Sequence, residues 1–149
     1  MSTEQAFERL PDQATADESW TLLRTLLGRQ RRRFLIAASE LDLHPAQAGA
    51  LLQMDPDQPR PMHELAALLA CDNSNVTGII DRLEGRGLVV RRPYEPDRRV
   101  KRVALTSRGA RLRDRLLEQV DQPPSGLERL STTERRQFRD LLRRVVDEG

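Results

Sequence analysis

Cysteine is nearly absent from this 149-residue chain: Cys71 is the only one, so neither an intrachain disulfide nor a cysteine-rich zinc cage can form. The two histidines, His44 and His63, are too few to replace such a cage, and no metal or other cofactor is expected. Aromatic residues make up only 3% of the chain, and no apolar run is long enough to cross a bilayer. The first residues, Met1-Ser2-Thr3-Glu4-Gln5-Ala6, lack the basic start and apolar stretch of a secretory signal, so a cytoplasmic protein without membrane contact is expected. Nucleophile elbows and phosphate-cradling glycine loops are missing, and the acids Glu95 and Asp97 have no facing base, which argues against an enzyme.

What is present describes one helix-rich domain, with 38% apolar and 32% charged residues. Net charge is only +2, but it is unevenly spread. From Arg82 to Arg115 there are 12 basic residues against Glu84, Glu95, Asp97 and Asp114, a local balance of +8 in a chain otherwise acidic. Such asymmetry is the footprint of a polyanion-binding face. Lys101 is the only lysine, so this charge is almost all guanidinium, which suits bidentate contacts to phosphate and guanine.

Residues 1–16 have no sustained period and read as a loose arm or short helix around Pro11. Beyond Asp17, the residues Trp20, Leu23, Leu27, Phe34, Ala38 and Leu41 recur at helical steps, predicting a long helix ending near Leu43 that packs on another helix. His44 stands where a cap belongs and Pro45 suits the first turn of a second helix. Three prolines between Asp55 and Pro61 break it. A short third helix, His63 to Ala70, carries Leu65, Leu68 and Leu69. After the turn Ala70-Cys71-Asp72, a fourth helix capped by Asp72 or Asn73 bears the stripe Val76, Ile79, Ile80 and Leu83. Cys71 in that turn reads as a buried thiol, with a redox role as the rival reading.

Gly87 ends the fourth helix. Leu88 to Arg92 and Val100 to Leu105 then read as two strands of a hairpin, with Pro93 to Arg99 as its charged tip. Thr106 caps a fifth helix through Leu112, Leu116, Leu117 and Val120, which Pro123-Pro124 stop. Ser131 and Glu134 form a capping box for a sixth, with Phe138, Leu141, Leu142, Val145 and Val146 along one side. Two helical regions, 17–43 and 107–149, therefore flank a central unit, 44–106.

Two short helices joined by a tight turn and followed by a basic hairpin have a physical use, because the major groove of B-DNA admits one α-helix. The surface expected to meet double-stranded DNA comprises Asn73, Ser74, Asn75, Thr77, Gly78 and Arg82 on the fourth helix, with Arg91, Arg98, Arg99 and Lys101 on the hairpin. Asn75 can read adenine, and Arg98 or Arg99 can enter the minor groove, where the negative potential attracts guanidinium. Asp97 is expected to hold one of these arginines by a charge-assisted bond. Self-association is expected through Trp20, Leu23, Leu27, Leu116, Val120, Phe138, Leu141, Leu142 and Val145. The rival reading is a helical dimerisation module whose central unit contacts protein.

The stretches Glu64-Leu65-Ala66, Asp81-Arg82-Leu83-Glu84-Gly85-Arg86-Gly87-Leu88-Val89, Asp97-Arg98-Arg99 and Leu105-Thr106-Ser107-Arg108-Gly109 resemble the MarR family of bacterial transcriptional regulators. The resemblance implies a mainly α winged helix-turn-helix with a small β-hairpin wing, dimerised by its N- and C-terminal helices. It implies a homodimeric repressor on a pseudo-palindromic operator, relieved by a small aromatic or phenolic effector or by oxidation. Three positions depart from the family pattern: Gly78 where a basic residue is common, Pro61-Met62 in place of a serine or threonine cap, and Cys71 in a slot usually aliphatic.

Overall fold

The computed structural model describes residues 11–147, and so residues 1–10 of the expected arm lie outside the described residues. The remainder of that arm is not loose. It forms the start of a 30-residue helix, α1 (Pro11–Glu40), six residues ahead of the expected beginning at Asp17. Proline at a first helical position has a preset φ and lacks an amide that would be unsatisfied there anyway.

The remaining elements are α2 (Pro45–Gln53), β1 (Arg60–Pro61), α3 (Met62–Leu68), α4 (Asn73–Gly85), β2 (Val89–Tyr94), β3 (Asp97–Leu105), α5 (Ser107–Val120), a 3-10 turn (Ser125–Arg129) and α6 (Thr132–Asp147). The sheet is antiparallel in the order β1-β3-β2, so the structure adds to the expected hairpin a third strand, where sequence showed only a proline-rich break. Arg60 faces Val103 and Pro61 faces Arg102 across β3. Two residues have no period to read, and an edge position tolerates the missing amide of Pro61. The hairpin tip is also tighter than the loop expected from Pro93 to Arg99, since Tyr94 pairs with Asp97 across a two-residue turn, with a register irregularity beside Pro93.

Caps set most boundaries. His44 accepts from the amide of Ala46 at 3.3 Å while Gln47 Oε1 accepts from the amide of His44 at 3.1 Å. Thr106 Oγ1 accepts from the amide of Gly109 at 3.0 Å, and the Ser131–Glu134 capping box forms as expected, with bonds of 2.7 and 3.3 Å. Pro61, in contrast, offers α3 no side-chain cap.

Three helices end in one way. At Asp42, Ala70 and Gly87 the chain enters the left-handed region, with φ of 54°, 48° and 68°. In each, this residue and the next donate backwards to the last turn: Leu43 to Ala38 at 2.8 Å, Cys71 to Ala66 at 3.1 Å and Leu88 to Leu83 at 3.0 Å. This is the Schellman arrangement, which satisfies carbonyls a helix end would otherwise leave bare.

The core joins Leu51 of α2, Leu65 of α3, Val76, Ile80 and Leu83 of α4, Leu88, Val89 and Val103 of the sheet region and Leu116 of α5, with Ala37 and Ala38 of α1 and Leu41 just beyond its end closing one side. Leu116 and Val120 were expected at a subunit contact. They are buried at 0% and 8% exposure within the chain's own core, so neither is available to a partner. Cys71 packs partly buried against that core, its thiol 3.2 Å from the carbonyl oxygen of Leu69.

The tightest approach lies where α5 meets the end of α4. A Cβ built on Gly109 would stand 1.9 Å from the carbonyl oxygen of Leu88, and that oxygen already accepts the Thr106 amide at 3.1 Å. Neither backbone can retreat without breaking the junction. Gly109→Ala is therefore expected to lower unfolding free energy by about 2 kcal/mol or more, the scale of an overpacked core, measurable as a lower denaturation midpoint with unchanged slope.

Candidate nucleic-acid interface

Burial of Val76, Ile79, Ile80 and Leu83 fixes the rotation of α4. Ser74, Asn75, Thr77 and Arg82 are thereby left exposed on its other side, where the sequence pattern placed them. Asn73 opens the helix. Gly78 has nothing within 4 Å of where a Cβ would stand, so the helix is bare there and a surface can approach its backbone closely.

Asp72 caps α4. It accepts from the Asn75 amide at 2.8 Å and the Ser74 hydroxyl at 2.7 Å. First the Ser74 hydroxyl and then the backbone amide of Asn75 hold its carboxyl below the usual aspartate range, so it stays ionised.

Arg91 departs from expectation. Sequence placed it among DNA contacts, yet its guanidinium bridges Asp81 at 2.6 Å and Glu84, both on α4, and its own amide donates to Glu84 Oε1 at 3.0 Å. Partial burial pulls its pKa down, but the hydrogen bonds it donates to Asp81 and Glu84 outweigh this and raise it, so the group is permanently charged. Arg91 thus fastens the wing to α4 instead of facing outward. The signal was legible in principle, since Asp81 and Glu84 lie three apart on one helix face; the partner was not, because sequence does not say where β2 crosses α4.

Asp97 also takes a different role. Its Oδ1 accepts the backbone amide of Arg99 at 3.1 Å, so it shapes the hairpin tip instead of gripping an arginine side chain. Arg98 lies 3.7 Å from Glu95, with both side chains about four-fifths exposed, a pairing worth little in water. Arg82, Arg92, Arg99 and Lys101 make no ion pair among the described residues. All four are exposed: Arg82 on α4, Arg92 on β2, and Arg99 and Lys101 on β3. Arg92, which was not among the expected contacts, pairs with Arg102 and Lys101 with Pro93, so the two stand on opposite faces of the hairpin.

Two further arginines missed by sequence reasoning brace the elements around this surface. Arg102 on β3 stacks its guanidinium 3.8 Å from the centroid of Tyr94 on β2, stiffening the hairpin. Arg86, beyond the end of α4, donates to the carbonyl oxygen of Asp42 and so ties α4 to the turn between α1 and α2.

Away from α4 and the wing, the terminal helices present apolar surface. Trp20 and Leu27 are 55% and 54% exposed on α1, with Leu23 partly covered. On α6 no residue is buried; Phe138 and Leu142 are partly covered, while Leu141, Val145 and Val146 stand open. His63 is exposed on α3. No helix among the described residues is long and apolar enough to cross a membrane, and no cluster of three metal-ligating side chains occurs among them.

Removing Arg91 leaves Asp81 and Glu84 facing a strand with no cation between them. Arg91→Ala is expected to reduce stability by about 1–2 kcal/mol, discounted for the partial exposure of the group. A lysine cannot restore the two-pronged contact, so Arg91→Lys should recover less than half of that loss in denaturant titrations.

Comparison with known proteins adds to this geometry. The profile of the MarR family matches residues 43–101, from the start of the α2 cap to the middle of β3. The transcriptional repressor NicR of Pseudomonas putida is 32% identical over 129 residues, covering 85% of this chain and 80% of NicR. The transcriptional regulator PecS of Dickeya dadantii is 32% identical over 116 residues, covering 76% of this chain, which spans 66% of PecS, just under two thirds of its length. Among solved structures, the transcriptional repressor CouR bound to a 23-mer DNA duplex superposes with a TM-score of 0.63 at 29% identity, covering 99% of this chain and 97% of CouR.

Proposed function

The chain belongs to the MarR family, and from that premise we propose that it is a DNA-binding transcriptional regulator, a repressor acting as a homodimer in the cytoplasm. The observation that carries the reading is α4, whose exposed face is small and polar, followed directly by a hairpin on which Arg92, Arg98, Arg99 and Lys101 are exposed, in a segment with a local balance of +8. A cluster of guanidinium groups next to a helix of this kind suits the phosphates on either side of a groove. The name NicR carries, and the duplex bound to CouR, support the same reading. In it α4 enters the major groove and the wing tip reaches the adjacent minor groove, on a pseudo-palindromic site with half-sites about one helical turn apart. Relief of repression by a small aromatic or phenolic molecule belongs to the same reading, on the strength of the family resemblance. A protein-interaction module explains the local excess of positive charge less well, because it leaves that charge without a stated partner.

Binding of the purified chain to its own promoter region across a salt series tests this. The logarithm of affinity should fall linearly with the logarithm of salt, by about 0.9 for each phosphate neutralised. A flat response, or no binding at low salt, defeats the proposal. Replacing Arg98 and Arg99 together with alanine should weaken binding about tenfold or more and make that slope shallower.

The dimer rests on α6, which has five apolar residues on one side and none buried, and on the open Trp20 and Leu27 of α1. Exposed apolar surface of this extent marks an association site. Sedimentation at micromolar concentration should show a dimer, and Val145→Glu on α6 should shift it toward monomer without unfolding the core; a monomeric parent chain excludes the homodimer.

A further inference from the structure

At the start of α4 the hydrogen bonds dictate more than a cap. Asp72 Oδ1 takes the Ser74 hydroxyl at 2.7 Å and the Asn75 backbone amide at 2.8 Å, while Asp72 Oδ2 takes the Asn75 side-chain amide at 3.4 Å. An ionised carboxylate can only accept, so each contact settles which way its partner points. Ser74 directs its single proton inward and turns lone pairs outward. Asn75 turns its NH2 group toward Asp72, leaving Oδ1 as the acceptor on its outward side. The second N–H of that amide stays free.

In the major groove, donors at the base edge are the exocyclic amines alone: N6 of adenine and N4 of cytosine. Guanine and thymine offer a carbonyl at the equivalent position, and an asparagine reads it only after its amide rotates by half a turn. Adenine fits the outward pattern of Asn75 best, with N6 donating to Oδ1 and N7 accepting the remaining N–H. Gly78, one turn further along with open space about its Cα, lets the helix come close enough for these short side chains to reach a base edge.

Resting on the DNA-binding reading above, we propose that Asp72 is a specificity-determining residue: by locking the Asn75 amide and the Ser74 hydroxyl, it makes α4 select an amino base, adenine foremost, over guanine or thymine. Asp72 itself reaches no base. Its negative charge disfavours every duplex alike, so its effect on sequence preference is separable from its effect on affinity.

The test uses the purified full-length chain. Selection from a randomised duplex library identifies the base pair at which Asn75→Ala abolishes the preference of the parent chain. At that pair, a duplex carrying adenine is compared with one carrying guanine, which exchanges the amine for a carbonyl and keeps N7. The parent chain is expected to favour adenine by about tenfold, within the range of a two-bond base contact. Asp72→Asn and Asp72→Ser both keep an N-cap. Both should bind the two duplexes more tightly and bring the adenine-to-guanine ratio close to one, with Asp72→Ser covering the case in which Asp72→Asn fails to fold. A ratio unchanged in either folded variant overturns the proposal, as does a parent chain that favours guanine or thymine at this pair. Binding of the parent chain to no duplex at all defeats the DNA-binding reading itself, whereas binding with an Asp72-independent preference defeats only the role given to Asp72.

Discussion

Everything on the basic side of this molecule hangs from the backbone of Leu88. Its amide closes the end of α4 by donating to Leu83, and its carbonyl accepts the amide of Thr106, where β3 ends and α5 begins. Thr106 Oγ1 reaches the adjoining Gly87 carbonyl at 2.7 Å, and Gly109 lets α5 lie directly against the joint. Both ends of the hairpin are thus held at one buried residue, 1% exposed. Only a glycine at 109 allows the approach, and a residue free to adopt a left-handed backbone at 87 allows the turn. The direction in which the wing leaves the body follows from these two positions.

Within that frame the basic residues of α4, the turn beyond it and the wing divide into two populations. Arg91 is spent on Asp81 and Glu84, Arg86 on Asp42 and Arg102 on the ring of Tyr94. These hold α4, the wing and the α1–α2 turn in fixed relation. Arg82, Arg92, Arg99 and Lys101 are left for whatever lies outside. The local excess of positive charge therefore overstates the charge available to DNA. It also explains how a long hairpin with few buried side chains stays ordered enough to place its tip.

The single chain is energetically unfinished at its other end. The second half of α1 is tied to the end of α5, where Gln30 donates to the carbonyl of Val120 and Arg33 to that of Gln122. The first half of α1 and all of α6 have no such cover among the described residues. A helix with an apolar stripe gains most of its stability from tertiary packing, not from propensity, and in the proposed homodimer a second copy would supply what the fold of one chain lacks.

How much of this was legible in the sequence depends on range. Periodicity and capping are local, acting over three or four residues. The α4 stripe, the caps at His44 and Thr106, the choice of Asp72 or Asn73 as the α4 cap and the Ser131–Glu134 box could therefore be read directly, and with them the outward positions of Ser74, Asn75 and Arg82. Strand pattern, charge and family resemblance together extended this to the wing. What sequence could not supply was any contact between segments whose crossing depends on the folded path. The recruitment of Arg91 by α4, the two-residue strand at Arg60–Pro61, the loss of Leu116 and Val120 to the core and the approach of Gly109 to Leu88 all belong there. Charge and apolarity are properties of a residue and are visible in its letter. Whether that charge is already neutralised, or that apolar surface already covered, is decided only when distant segments meet.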